Sequence, residues 1–205
     1  VSMVGRSLQA TIVDPEASST TSFMETHPAR LRVLVAGLCR FRGDSEGTWS
    51  DTDRLDIPLA QHFLSIGVPQ SRVALLTDGS ASSSGVLNTM EALLAESEPQ
   101  DTFVLYFGSH GSRTTAGDLS LSGYDASFKA TQVINTIRNH FRGGTVFLAT
   151  DTCYSGCMNT LAAAHFEPSM KVACLSSTAE YQSAWSRWRF ARCLLNAFRG
   201  SPRAD

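Results

Sequence analysis

Five short apolar runs, separated by segments with helical periodicity, constrain the fold of this chain more than any other feature of its sequence. Each run has the length and continuous hydrophobicity of a buried strand, and the runs occupy 31–38, 72–77, 102–109, 144–151 and 171–178. Apolar residues recur at helical spacing in the segments 56–67, 83–97, 129–141 and 187–198. Strands that alternate with helices form a mostly parallel sheet covered on both faces. The sequence therefore predicts an α/β fold, a three-layer α/β/α sandwich with a mostly parallel central sheet.

Residues 1–30 lack this alternation. They are rich in Ser, Thr and Pro and show no periodicity, so we interpret them as a leader or linker, in which "ATIV" at 10–13 is able to add an edge strand. Residues 31–205 are predicted to form one domain, because a chain of 205 residues has room for one substantial core.

The charge and the cysteine content of the chain exclude several classes of protein. A formal net charge of −2 gives no electrostatic attraction to nucleic acids or anionic membranes. The apolar runs are strand-sized, so no segment is predicted to span a bilayer. The five cysteines are odd in number and scattered, which indicates a reducing compartment rather than a disulfide framework. Since no signal peptide is visible, we expect a cytoplasmic protein.

Two of the predicted strands end in side chains that are able to react. The run 102–109 leads into "GSHG", which contains His110, and the run 144–151 leads into "DTCYSG", which contains Cys153. The carboxyl ends of parallel strands meet at one edge of a sheet, so neighbouring strands would bring His110 and Cys153 side by side.

These residue types suit acyl transfer. A free thiol ionises at a pKa of about 8.5 and needs a base to attack near neutral pH, and an imidazole is able to take the proton and return it to a leaving amine. Gly111 leaves a backbone N–H unshielded for an oxyanion, and the N–H of Cys153 is a second candidate donor. The alternative is that Cys153 is a packed thiol and His110 a solvated loop residue.

"VLYFGSHG" followed by "DTCYSG", with Cys153 placed 43 residues after His110, resembles the motifs of caspase-like cysteine peptidases. This is the group of caspases, metacaspases and paracaspases, and the Asp-x-Cys-x-Ser-Gly pattern is most similar to that of metacaspases. The resemblance implies a His110–Cys153 dyad that hydrolyses peptide bonds through a thioester. It also implies a large-subunit-like part at 31–165 and a short small-subunit-like part at 166–205.

The resemblance also implies a substrate class. Asp151 lies two residues before Cys153, where metacaspases and paracaspases carry the acid of a pocket for Arg or Lys. A carboxylate there would pair with a guanidinium or an ammonium group. Asp56, in "RLDIPLAQ", is similarly positioned to a second family acid, although the match is loose. The alternatives are an ordinary strand-end cap for Asp151 and a first-turn acid or helix cap for Asp56.

The segment "ACLSSTAEYQSAW" resembles the strand and pocket loop of the family's small subunit. By this resemblance Ser176 and Ser177 form a further wall of the pocket and Trp185 borders the next subsite. The alternative is a polar strand end followed by a buried aromatic residue.

We expect no cofactor and no metal on the thiols, because Cys153 and Cys157 lack the spacing of zinc ligands. Calcium activation, known from metacaspases, has weak support, since only Asp118 and Asp125 follow the His-Gly motif and calcium takes six to eight oxygen ligands. Residues 157–170 contain no Lys or Arg, so an enzyme that cuts after basic residues would act as an unsplit chain.

The leading hypothesis is a cysteine endopeptidase that cleaves protein or peptide substrates after Arg or Lys, with programmed cell death as the context that the family suggests. The alternative is a caspase-fold scaffold of weak or no activity that binds other proteins. We expect a monomer or a homodimer formed through a sheet edge.

Overall fold

The computed structural model describes residues 9–12, 27–44, 49–184 and 188–200. The strands are β1 (Gln9–Ile12), β2 (Leu31–Gly37), β3 (Val73–Thr77), β4 (Thr102–Gly108), β5 (Gly111–Arg113), β6 (Leu119–Ser122), β7 (Ser127–Lys129), β8 (Thr145–Asp151) and β9 (Lys171–Ser176). The helices are α1 (Asp56–Ser65), α2 (Ser83–Ala95), α3 (Ala130–His140), α4 (Gly156–His165) and α5 (Arg189–Phe198).

The central sheet has six strands in the order β1-β9-β8-β4-β2-β3. Five of these strands run parallel to one another, and β1 pairs antiparallel with β9 at one edge. The five parallel strands are those that the apolar runs predict, and the predicted mostly parallel sheet is confirmed. β4 and β8 are direct neighbours, so the ends that carry His110 and Cys153 emerge together.

Helices cover the sheet on both faces and divide the core into two layers. Alternate residues of each strand face opposite sides: Leu34 of β2 packs towards α2, α3 and α4, whereas Val35 packs towards α1 and α5. β2 and β4 are buried along their whole length and β8 along most of it, which explains their continuous apolar sequence, whereas the edge strand β3 is only partly buried. The three-layer sandwich is therefore confirmed, and none of the helices described is long and apolar enough to cross a membrane.

Two elements were not predicted. β5, β6 and β7 form a small antiparallel sheet over 111–129, and their three or four residues each are too short to show a period in a Ser- and Gly-rich segment. The helix α4 begins directly after the turn at Cys153, and its small, nearly uniform side chains in "TLAAAH" hide its helical period.

Candidate active site

The segments that carry His110 and Cys153 touch through their backbones. Gly108 at the end of β4 is in register with Asp151 at the end of β8, and the N–H of Ser109 donates to the carbonyl of Asp151 at 3.2 Å. One residue beyond His110, a β-carbon added at Gly111 would lie only 2.7 Å from the carbonyl oxygen of Cys153. This close approach requires glycine and holds the two chain segments against each other.

Cys153 lies in a tight turn between β8 and α4. Tyr154, the next residue, has a φ of 58°, in the left-handed region that non-glycine residues rarely adopt, and α4 begins two residues later. The Cys153 side chain is partly exposed, and its Sγ accepts a hydrogen bond from the N–H of Ala184 at 3.2 Å. The strained turn projects the thiol from the carboxyl edge of the sheet.

Two aromatic residues surround the His110 ring. Its centroid lies 5.0 Å from that of Phe41 and 4.3 Å from that of Trp49. The Nε2 atom is buried and has no hydrogen-bond partner, and among the described residues no hydrogen bond joins His110 to Cys153. Phe41 and Trp49 were not predicted from the sequence, although both follow β2, the neighbour of β4 in the sheet.

Asp151 faces neutral hydrogen-bond donors at the end of β8. Tyr106 donates its hydroxyl to Oδ2 of Asp151 at 3.2 Å. Burial raises the pKa of Asp151 to about 6, although hydrogen bonds from Ser177, Tyr106 and the backbone N–H of Ala191 lower it in part. Ala191 belongs to the first turn of α5, where unpaired N–H groups favour a carboxylate. Part of the surface of the residue as a whole remains exposed beside the turn at Cys153, while burial of its carboxyl group is the main cause of the raised pKa.

Asp56 is in a different environment, because Arg54 already binds it. Nε and Nη2 of Arg54 donate to the two carboxylate oxygens of Asp56 at 2.9 and 2.6 Å. Nη2 also reaches the carbonyl of Gly37 at 3.1 Å, and Asp56 is fully buried. The resemblance implies that Asp56, like Asp151, is an acid that binds a substrate cation. The structure corrects this for Asp56, whose oxygens are occupied by a cation of the same chain.

Asp78 completes this ion-pair network. Nη1 of Arg54 donates to Oδ2 of Asp78 at 2.8 Å, and the N–H of Cys39 donates to its Oδ1 at 2.7 Å. Burial works to raise the pKa of Asp78, but the hydrogen bonds from Arg54 and from the backbone outweigh it and lower the pKa. The hydrogen bond with Asp56 is the main cause that raises the pKa of Arg54. Arg54 and Asp78, both missed by the sequence analysis, thus tie α1 to the ends of β2 and β3.

Two glycines make room for these polar groups at the carboxyl edge. Gly37, Gly108 and Asp151 are aligned across β2, β4 and β8. A β-carbon at Gly37 would collide with the carboxylate of Asp56, and one at Gly108 would lie 2.6 Å from the hydroxyl of Tyr106. Glycines at the ends of two apolar runs were therefore a sequence signal for a site at this edge.

The two serines at the end of β9, Ser176 within the strand and Ser177 directly after it, face opposite sides of the sheet. Ser177 is the serine whose hydroxyl interacts with Asp151. Ser176 is 1% exposed, faces α4 and donates its hydroxyl to Asn159 at 2.6 Å. The prediction that both serines line one wall is therefore corrected for Ser176, and Trp185 lies outside the described residues.

The acids that follow the His-Gly motif stabilise helix starts. Asp118 accepts from the hydroxyl of Thr131, in the first turn of α3, at 2.6 Å, and Asp125 accepts from the N–H of Ser83, the first residue of α2, at 2.8 Å. Within the described residues, no three His, Cys, Asp or Glu side chains are grouped as a metal site would require.

Comparison with known proteins yields similarity at the level of structure. No family model matches the chain, and no curated protein matches its sequence. Caspase-1 from Spodoptera frugiperda is 14% identical in sequence, with a TM-score of 0.52 over 87% of this chain and 73% of that one. The protein GSU0716 from Geobacter sulfurreducens is 15% identical, with a TM-score of 0.47 over 86% of this chain and 67% of that one. The chain thus has a caspase-like α/β fold.

Proposed function

We propose that this protein is a cysteine peptidase of caspase type, with Cys153 as nucleophile and His110 as general base. The observation that carries the proposal is the contact between the two strand ends, where Gly111 packs against the carbonyl of Cys153. In a caspase-like fold, this juxtaposition at the carboxyl edge of the sheet provides both partners of a thiol–imidazole pair.

The chemistry assigns one role to each group. His110 takes the thiol proton, the sulfur of Cys153 attacks the peptide carbonyl carbon, and the C–N bond breaks as His110 returns the proton to the leaving amine. The backbone N–H groups of Gly111 and Cys153 are the candidate donors to the oxyanion. Water then hydrolyses the thioester and regenerates the thiol. His110 and Cys153 share no hydrogen bond among the described residues, and catalytic hydrogen bonds of this kind often form only when substrate is bound.

Asp151 is the acid to which we assign selectivity for Arg or Lys before the cut bond. Its pKa of about 6 leaves it mostly ionised at neutral pH, and its hydrogen-bond donors are neutral groups. A substrate cation would relieve the cost of keeping this charge among protein atoms. Asp56 needs no substrate cation, because the guanidinium of Arg54 already pairs with it.

A scaffold function is the second candidate. In its favour, the thiol of Cys153 accepts a hydrogen bond from Ala184 and the buried Nε2 of His110 has no partner. β3 lies at the end of the sheet order, with Leu75 38% exposed. Such an edge is able to pair with a second copy of the chain.

Hydrolysis of fluorogenic peptides with Arg, Lys or Asp before the scissile bond tests the proposal. We expect cleavage after Arg and Lys, and loss of cleavage in Cys153→Ala and His110→Ala; assays with and without calcium test its role. A folded protein that cleaves none of the peptides would favour the scaffold, and preference for Asp would overturn the role of Asp151.

The proposed enzyme acts as an unsplit chain. Most of the Lys- and Arg-free segment 157–170 is the helix α4, and helices resist proteolysis because their backbone is not extended. Incubation of the pure protein followed by mass spectrometry of its termini should give the intact chain. Efficient cleavage between 157 and 170 would contradict this.

A further inference from the structure

A segment that follows β9 crosses the candidate nucleophile. We call residues 177–184 the strap. The N–H of Ala184 donates to Sγ of Cys153 at 3.2 Å, and the carbonyl of Gln182 accepts from the N–H of Tyr154 at 2.7 Å. The strap therefore covers the face of the turn from which the thiol projects.

The base of the strap is fixed to the protein. Ser155 and Thr178 exchange hydrogen bonds, from Ser155 N–H to the Thr178 hydroxyl at 3.1 Å and from Thr178 N–H to the Ser155 hydroxyl at 3.0 Å. Gly156 packs so closely against the backbone of Glu180 that an added β-carbon would collide with it. These buried contacts keep residues 177–180 in place.

The tip of the strap, residues 181–184, is held by the hydrogen bonds of Gln182 and Ala184 to the turn and by one side chain at the surface. Tyr181 is 73% exposed, so burial does not anchor it. Nη2 of Arg113 donates to Oε1 of Glu180 at 3.1 Å, and the same guanidinium lies 4.9 Å from the centre of the Tyr181 ring. Arg113 belongs to β5, the strand that begins directly after His110. The side chain of Arg113 thus connects β5, the strand that follows His110, to the strap. The connection is made at Glu180 and Tyr181, where the fixed base of the strap meets its exposed tip.

We infer that Arg113 is a positioning residue that latches the tip of the strap over Cys153, and that release of this latch exposes the thiol to substrate. The side chains of Arg113 and Glu180 are 35% and 26% exposed, and a partly exposed ion pair with a cation–π contact is weak enough to open reversibly. Once released, the backbone of the tip offers its N–H and C=O groups to an extended peptide. The inference rests on the proposed role of Cys153 as nucleophile.

The rate at which iodoacetamide alkylates Cys153 tests the latch without requiring peptidase activity. Peptide mass spectrometry resolves the modified cysteines, and Cys39 and Cys174, both buried, report any general opening of the fold. We expect Arg113→Ala to accelerate alkylation of Cys153 by about 3- to 10-fold, the range expected for one weak ion pair plus a cation–π contact. Arg113→Lys keeps a cation for Glu180 and Tyr181 and should restore a rate near that of the wild type.

Arg138→Ala is the matched control. It removes another partly exposed ion pair, to Glu167 at 3.7 Å, from a helix that does not carry the strap, and should leave the rate unchanged. If Arg113→Ala does not fold, Glu180→Gln removes the same ion pair at constant side-chain size and should also accelerate alkylation.

Two results would overturn the latch: an unchanged rate at Cys153 in folded Arg113→Ala, or equal acceleration at Cys153 and Cys174. The peptide assay is read separately. Faster alkylation in Arg113→Ala without cleavage of any peptide would support the latch and count against the peptidase. Cleavage by the wild type with an unchanged alkylation rate in Arg113→Ala would support the peptidase and overturn the latch.

Discussion

Asp56 and Asp151 lie at the same edge of one sheet, both close enough to Tyr106 to influence its pKa, and they differ in whether a cation of the chain pairs with them. Asp56 is fully buried, and the guanidinium of Arg54 matches its charge. Among the residues that the structure describes, the donors to Asp151 are neutral groups, and burial raises its pKa to about 6. Both carboxylates influence Tyr106, whose pKa is raised well above its usual value mainly by burial and next by the charges of Asp151 and Asp56. A buried acid with its own cation stabilises the fold, whereas one without a cation is available to a ligand.

Removal of Arg54 should have the largest effect on stability. Arg54→Ala leaves the carboxylate of Asp56 buried without its cation, so we expect the free energy of unfolding to fall by about 3–5 kcal/mol. Urea denaturation at pH 7 measures it. Arg40→Ala is the control, because the ion pair of Arg40 with Asp51 is exposed and should contribute less than about 1 kcal/mol. Equal losses in the two variants would mean that Asp56 does not depend on the charge of Arg54.

The substitution of Asp151 by Asn should act in the opposite direction. With a folded pKa of about 6 and an unfolded value of about 4, Asp151 binds more protons in the folded state between these pH values. The free energy of unfolding of the wild type should therefore fall by roughly 2–3 kcal/mol as the pH rises from 4 to above 6. Asp151→Asn lacks this dependence, so it should be more stable than the wild type at pH 7 and equal to it below pH 4.

Urea denaturation between pH 3.5 and 7.5 checks both statements, and Asp56→Asn serves as the comparison. That variant removes the carboxylate that binds two nitrogens of the Arg54 guanidinium and leaves Asp78 as its nearest remaining anionic partner, so it should be destabilised at neutral pH. If Asp151→Asn and Asp56→Asn both lose stability at pH 7, the contrast between the two acids does not exist.

The sequence carries enough information for the sheet but only part of the site. Continuous apolar runs predict the parallel strands because burial on both faces is a property of each run alone. The alternation of side chains along a strand would also have separated Ser176 from Ser177, since neighbouring residues face opposite sides. The role of Arg54 was out of reach, because its partner Asp78 is 24 residues away and only the packing of α1 against the strand ends brings the two together. The chemical roles of His110, Cys153 and Asp151 stay predictions.

Loss of the Tyr106 hydroxyl should have the smallest effect on the free energy of unfolding, and it tests further how Asp151 differs from Asp56. The hydroxyl fills the space over Gly108 and donates to Asp151 at 3.2 Å, and a hydrogen bond to an ionised group is stronger than one to a neutral group. Tyr106→Phe should therefore reduce the free energy of unfolding by about 1 kcal/mol at pH 7, with a smaller loss at pH 4.

A double-mutant cycle attributes this effect to its partner. In the Asp151→Asn background the loss caused by Tyr106→Phe should no longer depend on pH, because no carboxylate is left to ionise. Tyr124→Phe is the control, because Tyr124 packs in the opposite helix layer. It should lower the free energy of unfolding by the same amount in the wild type and in the Asp151→Asn background. If the loss of unfolding free energy caused by Tyr106→Phe still depends on pH in the Asp151→Asn background, the hydroxyl interacts instead with Asp56. Asp56 is the other acid whose charge influences the pKa of Tyr106.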